Sequence, residues 1–234
     1  MDTLEICYMG AGDLSKLVQS KEISPVEIIE AHLTRIDATE PVLNSFITLL
    51  ADQARKSARQ AEKDIQAGRY KGPLHGIPVA LKDLYNTGGV RTTSGSRIFD
   101  TFIPTEDCTV AVRFREAGAI LLGKLNMHQF ASGPTGENPD YGHMHNPWNP
   151  EMVSGGSSGG SGSATAGFLC ATSLGEDTGG SIRRPAAWCG LAGLRPSWGR
   201  VSRYGVAAGS WSMDQVGPMS RTVEDAAITL GAIA

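Results

Sequence analysis

No apolar run in this sequence approaches the ~18 residues that a membrane-crossing helix needs. The opening Met1-Asp2-Thr3-Leu4-Glu5 lacks the positive segment and apolar core of a secretion signal. No membrane association and a cytoplasmic location are therefore expected. Cysteine is scarce. Cys7, Cys108, Cys170 and Cys189 are too widely and irregularly spaced for a zinc module or a disulfide framework, so free thiols in a reducing compartment are expected. Charge of one sign is also lacking: 21 Lys and Arg face 24 Asp and Glu, a net charge of −3. That balance gives no general affinity for nucleic acid.

Apolar residues make up 41% of the 234 positions, enough for a substantial core. Glycine is the abundant residue, at 29 positions, well above the ordinary ~7%. The excess collects in a few turns. Two of them, Gly155-Gly-Ser157-Ser-Gly-Gly-Ser-Gly-Ser163 and Thr178-Gly-Gly-Ser181-Ile-Arg183, flank one small-residue apolar segment.

Local patterns alternate between helix and strand. A short amphipathic helix begins residues 11–19. Ser24-Pro25-Val26-Glu27 carries an N-cap serine, a first-turn proline and a capping-box glutamate. Ile28, Ile29, His32, Leu33 and Ile36 follow on one face, with His32 as a packed residue, and Pro41 is expected to end that helix. Residues 46–50 suit a strand or a helix entry, and 51–67 a long surface helix. Residues 77–81 read as a strand with Lys82 at its end. A helix over 107–116 capped by Gly118 precedes a strand over 119–122. Residues 132–152 read as a long ordered loop and 164–174 as a helix plus strand. Thr222 caps a last helix. The succession indicates an α/β fold with a largely central sheet.

Several chemistries compete for the glycine-serine stretch. A flexible linker is the plainest, but the run passes straight into Ala164–Ala171, which needs burial, and a second Gly-Gly-Ser recurs at 179–181. A phosphate loop fails because Ser161 stands where its lysine belongs. Serine nucleophilic catalysis needs a base. None of His32, His75, His128, His143 and His145 lies in a recognisable triad context, and His143-x-His145 lacks a clear third metal ligand. A lysine serves as base when burial keeps it neutral. Lys82, ending an apolar strand, suits that role, although a strand-end lysine reaching water or pairing with Asp83 is the plainer alternative. Glycines beside Ser181 let backbone N–H groups converge on one point, as an oxyanion hole requires.

Gly76-Ile-Pro-Val-Ala-Leu-Lys82-Asp83, Gly155-Gly-Ser157-Ser-Gly-Gly160 and Asp177-Thr-Gly-Gly-Ser181-Ile-Arg183 resemble the amidase signature family. Ser157 lies 75 positions after Lys82, and Ser181 a further 24. Gly123–Met127, Thr135–Asn138, Pro185–Ser197 and Gly199–Gly205 agree as well, so the resemblance spans residues 11–234. It implies a central mixed twisted sheet with helices on both faces. Residues 1–70 would form an N-terminal helical segment packed on a core at 71–234.

The resemblance also implies roles. Ser181 is the nucleophile, Ser157 the bridging serine after a cis Gly156–Ser157 bond, and Lys82 the base. The N–H groups of Thr178, Gly179, Gly180 and Ser181 form the oxyanion hole. Arg183 and Asp177 support the nucleophile turn, and Ser132 and Gly133 are assigned to substrate binding. No metal or organic cofactor is implied.

Three functions fit the resemblance: a hydrolase of a small amide or ureido compound, the glutaminase A subunit of a tRNA-dependent amidotransferase working with GatB/GatC-type subunits, and a non-catalytic assembly module. Retention of Lys82, Ser157 and Ser181 together argues against the third. A homo-oligomer is expected. Family members are considerably longer, so a fragment, or a second polypeptide supplying the C-terminal half, is expected too. Arg184, often neutral in relatives, reads as a surface residue.

Overall fold

The computed structural model describes all residues, 1–234. Helices α1 (Thr3–Tyr8), α2 (Ala11–Ser20) and α3 (Pro25–Leu43) lead into strand β1 (Phe46–Leu49) and helix α4 (Ala51–Gln66). Then follow β2 (Pro78–Lys82), α5 (Thr109–Glu116) and β3 (Ile120–Leu125). A small hairpin, β4 (His145–Asn146) with β5 (Asn149–Val153), precedes α6 (Gly159–Ala166) and β6 (Thr172–Asp177). The chain continues through α7 (Arg183–Cys189), β7 (Ala192–Gly193), β8 (Gln215–Ser220) and α8 (Val223–Ile233). No helix is long and apolar enough to cross a membrane.

Six strands make one mixed sheet in the order β1-β3-β2-β6-β8-β7. β3, β2 and β6 run parallel, and the outer pairings are antiparallel. Val79 and Leu81 join one apolar cluster with Leu14 of α2, Phe114 of α5 and Ile233 of α8. Ala80, between them, joins the other with Ala58 of α4 and Ala164 of α6. Alternation along a strand puts those clusters on opposite faces, so helices cover both.

This topology fixes the place for chemistry. α5 carries the chain from β2 to β3 over the first face. α6 carries it back over the second, and β6 lands on the other side of β2. Strand order thus reverses between β2 and β6. In open α/β sheets ligands bind at the carboxyl ends of the strands flanking such a reversal. Lys82 ends β2 and Asp177 ends β6.

Caps at Ser24 and Thr222 form as the sequence indicates: Ser24 Oγ accepts the Val26 N–H at 2.9 Å, and Thr222 Oγ1 the Asp225 N–H at 3.0 Å. His32 is buried, its Nδ1 2.9 Å from the Ile28 carbonyl. Pro41 does not end its helix. α3 runs two residues further, to Leu43, and Asn44 closes it in the left-handed region at φ 51°. Pro41 and Asp37 are both exposed, so the carbonyl that loses a partner to proline can be hydrated. The loop at 132–152 contains the β4–β5 hairpin. Residues 1–70 are not purely helical, because β1 extends the sheet beyond β3.

The glycine-serine run becomes helix from Gly159, five residues before the expected start, and every residue of α6 is buried. Missing side chains are what allow this. A Cβ at Gly160 would stand 2.4 Å from the Asn126 carbonyl oxygen and 2.5 Å from that of Ser45. Both neighbours are backbone and cannot swing aside. Gly160→Ala is therefore expected to lower the unfolding free energy by about 3 kcal/mol, at the upper end for an overpacked core. Urea unfolding checks this; an unchanged midpoint would contradict the packing.

Candidate active site

Lys82 is fully buried, and its Nζ lies 2.7 Å from Ser157 Oγ. Strand alternation turns Lys82 to the same sheet face as Ala80, where α6 and the turn before it sit. Ser157 follows a cis Gly156–Ser157 peptide bond. The Ser157 carbonyl accepts the His128 N–H at 2.9 Å, and the Ser158 N–H donates to the Ser181 carbonyl at 3.3 Å. The two serine turns are thus tied through their backbones. Lys82 and Ser157 are joined directly. Ser181, nearly buried, is set beside them, with no hydrogen bond between the two serine hydroxyls.

Burial pushes the Lys82 amine below the usual lysine range, against the upward pull of Glu176, Asp177 and Asp214. The pairing with Asp83 does not occur. Asp83 instead faces Lys124 Nζ at 3.5 Å, in a separate buried pair. With no exposure to water, Lys82 is not a strand-end lysine reaching solvent.

Asp177 organises the turn that carries Ser181. Its Oδ1 accepts the Gly180 N–H at 2.7 Å, and its Oδ2 the Ile182 N–H at 3.1 Å and the Arg183 N–H at 3.3 Å. The Arg183 guanidinium adds two bonds at 3.0 Å, and Arg195 Nε lies 3.3 Å from Oδ1. Burial raises the Asp177 carboxyl, but these donors outweigh it and hold it below the usual range.

Of the four N–H groups expected to meet an oxyanion, that of Gly180 is already given to Asp177. Those of Thr178, Gly179 and Ser181 have no acceptor within the protein.

Ser132 is exposed, its N–H bonded to the Gln129 carbonyl at 3.1 Å. Gly133 lies closer in, its carbonyl oxygen 2.7 Å from where a Cβ on Gly156 would stand. The 132–136 segment therefore wraps the turn that carries Ser157.

Two residues at the site had no role in the sequence reading. Glu176, buried, places Oε2 3.3 Å from Lys82 Nζ. Arg184 is half-buried and spans both turns: Nη1 donates to the Gly156 carbonyl at 3.0 Å and Nη2 to the Gly179 carbonyl at 2.8 Å. Arg184 is thus a clamp across the two serine turns instead of a free surface charge. Its place immediately after Ile182-Arg183 was the available signal, but its acceptors are backbone carbonyls that sequence does not mark.

His143 Nδ1 accepts the Asn138 N–H at 3.0 Å, and His145 Nδ1 faces the Pro150 carbonyl at 2.6 Å. No group of three or more His, Cys, Asp or Glu side chains is arranged to hold a metal. The four cysteines are free and buried. A cavity of about 600 Å³ bounded by Gln53, Ser57 and Arg115 lies elsewhere; neither Lys82 nor the two serines line it.

Comparison with known proteins identifies the family. The Amidase family model matches residues 27–234. The A subunit of glutamyl-tRNA(Gln) amidotransferase from Carboxydothermus hydrogenoformans is 46% identical over 231 residues, 99% of this chain and 48% of the relative. Its namesake from Thermosynechococcus vestitus is 51% identical over 222 residues, 95% of this chain and 46% of the relative. The structure of native peptide amidase from Stenotrophomonas maltophilia superposes with a TM-score of 0.93 at 38% identity, covering 97% of this chain and 48% of that one. The chain spans about half the length of the curated relatives it matches. By sequence, by fold and by the match of the family model across most of its length, the chain belongs to the amidase family.

Proposed function

We propose that this amidase-family chain cleaves the C–N bond of a small amide or ureido compound through an acyl-enzyme on Ser181. The observation that carries the reading is a lysine with no exposure to water 2.7 Å from a serine hydroxyl. Neutral Lys82 takes the Ser157 hydroxyl proton while Ser157 takes that of Ser181. Ser181 Oγ then bonds the carbonyl carbon. The N–H groups of Thr178, Gly179 and Ser181 receive the oxyanion, each such donor contributing ~2.7–4 kcal/mol to the transition state. The proton returns through Ser157 to the leaving nitrogen as the C–N bond breaks and ammonia or an amine departs. Water repeats the route on the acyl group, releasing the acid and restoring Ser181. These steps call on no metal or organic cofactor.

A second reading is favoured by the names of the relatives: ammonia released from glutamine would pass to partner subunits of the GatB/GatC type for amidation of aminoacyl-tRNA. Glutamine-dependent amidation in the presence of such subunits, against release of ammonia from simple amides by the chain alone, separates the two. A cytoplasmic homo-oligomer belongs to the first proposal. So does an acyl pocket completed by sequence equivalent to the relatives' other half, on this polypeptide or a second.

Lys82→Met tests the base. Loss of general-base catalysis is expected to lower kcat/KM by about 10³-fold. Wild-type activity should rise as pH climbs through the lowered lysine pKa, because only the neutral amine accepts a proton; the variant should lose that rise. Stability should rise with pH as well. Between the lowered folded value and the unfolded ~10.4, the unfolded chain binds more protons, so burial of this lysine costs stability below that window. Lys82→Met should therefore unfold no earlier than wild type in urea at neutral pH. An unchanged pH–rate profile would remove Lys82 from the mechanism.

A further inference from the structure

Two glycines separate Thr178 from Ser181, and little packs against them. A Cβ at Gly179 would meet nothing within 4 Å. Gly180 holds φ at +123°, a region that L side chains rarely adopt. The peptide planes on either side of such a glycine turn freely unless hydrogen bonds hold them. The aim of the Ser181 N–H therefore depends on what fixes those two planes.

Both planes end on Arg184. The Gly179 carbonyl accepts from Nη2 at 2.8 Å, and the Gly180 carbonyl accepts the Arg184 backbone N–H at 2.7 Å. In a trans peptide the C=O and the N–H point to opposite sides. The far end of the first plane is the Gly180 N–H, which Asp177 Oδ1 accepts at 2.7 Å. That plane is pinned at both ends, by Arg184 and by Asp177. The far end of the second plane is the Ser181 N–H, which has no acceptor in the protein and points away from the Arg184 N–H.

The same guanidinium reaches the other serine turn. Nη1 donates to the Gly156 carbonyl at 3.0 Å, one residue before Ser157, whose Oγ is 2.7 Å from Lys82 Nζ. The other hydrogen bond between the turns, from the Ser158 N–H to the Ser181 carbonyl, is longer at 3.3 Å. Arg183 and Arg195 pair with the Asp177 carboxylate, whereas Arg184 gives its donors to carbonyls. A guanidinium is planar, its donors form a fixed fork, and it stays charged at any working pH. One such group bonded to two carbonyls fixes their separation.

We infer that Arg184 is a positioning residue for acyl transfer: it turns the Ser181 N–H toward the place of the oxyanion and keeps the Ser157 turn in register with Ser181. The inference rests on the reading of Ser181 as the nucleophile. Arg184 acts through the two turns and touches no reacting atom. Binding of the ground-state substrate calls on neither effect, so the loss of Arg184 falls on kcat.

Steady-state hydrolysis of a neutral primary amide by Arg184→Met and Arg184→Lys reads that split. Arg184→Met is expected to lower kcat about 10²-fold, the cost of a displacement of about 1 Å at the reacting groups, with KM within about threefold of wild type. Arg184→Lys keeps the charge but offers a point donor in place of the fork, and kcat should fall nearly as far. Wild-type kcat in Arg184→Lys would mean that charge alone suffices and would overturn the inference. A raised KM with unchanged kcat would make Arg184 a substrate contact and overturn it equally. Amide hydrogen exchange of the intact protein, followed by mass spectrometry, adds a measure that needs no turnover. Without the guanidinium, the peptides covering 155–158 and 178–182 should exchange faster together, by on the order of tenfold. Unchanged exchange in either peptide would overturn the inference on its own. Should Arg184→Met not fold, Arg184→Lys gives both readouts. A wild type that hydrolyses no amide would remove the reading of Ser181 as nucleophile and leave exchange to decide whether Arg184 joins the turns, so the two failures are told apart.

Discussion

Ser181→Ala is expected to lower amide turnover by on the order of 10⁴-fold or more while leaving the unfolding midpoint within error of wild type. The size follows from the chemistry. Removing the nucleophile of a serine relay leaves only substrate binding and oxyanion stabilisation. The unchanged stability follows from the structure: the Ser181 hydroxyl donates to no protein group, and the turn is held by the Ser181 carbonyl and the Asp177 carboxylate. Steady-state hydrolysis of a simple primary amide, alongside urea unfolding, checks both halves. A variant retaining more than a tenth of wild-type turnover would move the acyl group to another residue.

Asp177→Asn should cost both stability and rate. The carboxylate is fully buried and gathers three backbone N–H groups and two guanidinium groups on two oxygens. An amide keeps one acceptor oxygen and sets an NH₂ against donors it cannot satisfy. Breaking a buried pair from one side costs ~3–5 kcal/mol. The Arg183 side chain is 56% exposed, so water screens part of that loss and a value of about 3 kcal/mol is expected. With the turn released, the Thr178, Gly179 and Ser181 N–H groups lose their aim, and kcat should fall ~10²–10³-fold, as when one oxyanion donor is removed. The pH sign follows from the lowered folded value. This stabilisation is fully present above the unfolded ~3.9 and is lost as pH falls through the lower folded value. Wild type should therefore lose stability on acidification through this window and Asp177→Asn should show a shallower loss. Equal acid slopes would mean that Asp177 is not the anchor of the turn.

Legibility in the sequence depended on how local each signal was. The Ser24 and Thr222 caps are complete within four residues, and both form. The apolar run ending at Lys82 was readable because a fully buried parallel strand is apolar on both faces. β8 was not. Gly217 and Pro218 interrupt its pattern, and both residues are depleted in strands. The fold needs that glycine, since a Cβ at Gly217 would stand 2.1 Å from the Leu194 carbonyl oxygen. α6 was hidden for a related reason: glycine and serine suggest a flexible tether until Ser45 and Asn126, distant in sequence, close over the helix.

The site divides along the same line. Lys82, Ser157 and Ser181 stand in recognisable segments, and the fold brings those segments to the reversal between β2 and β6. Glu176 and Arg184 acquire meaning only from partners 94 and 28 residues away, Lys82 and Gly156. The oxyanion set could be written from the glycines, but the donation of the Gly180 N–H to Asp177 needed coordinates.

Mass-spectrometric mapping of the protein after treatment with a fluorophosphonate tests the central claim most directly. Acyl transfer through Ser181 predicts one adduct per chain, on the peptide containing Ser181, forming far more slowly in Lys82→Met. An adduct on Ser157, or labelling at an undiminished rate without Lys82, would contradict it.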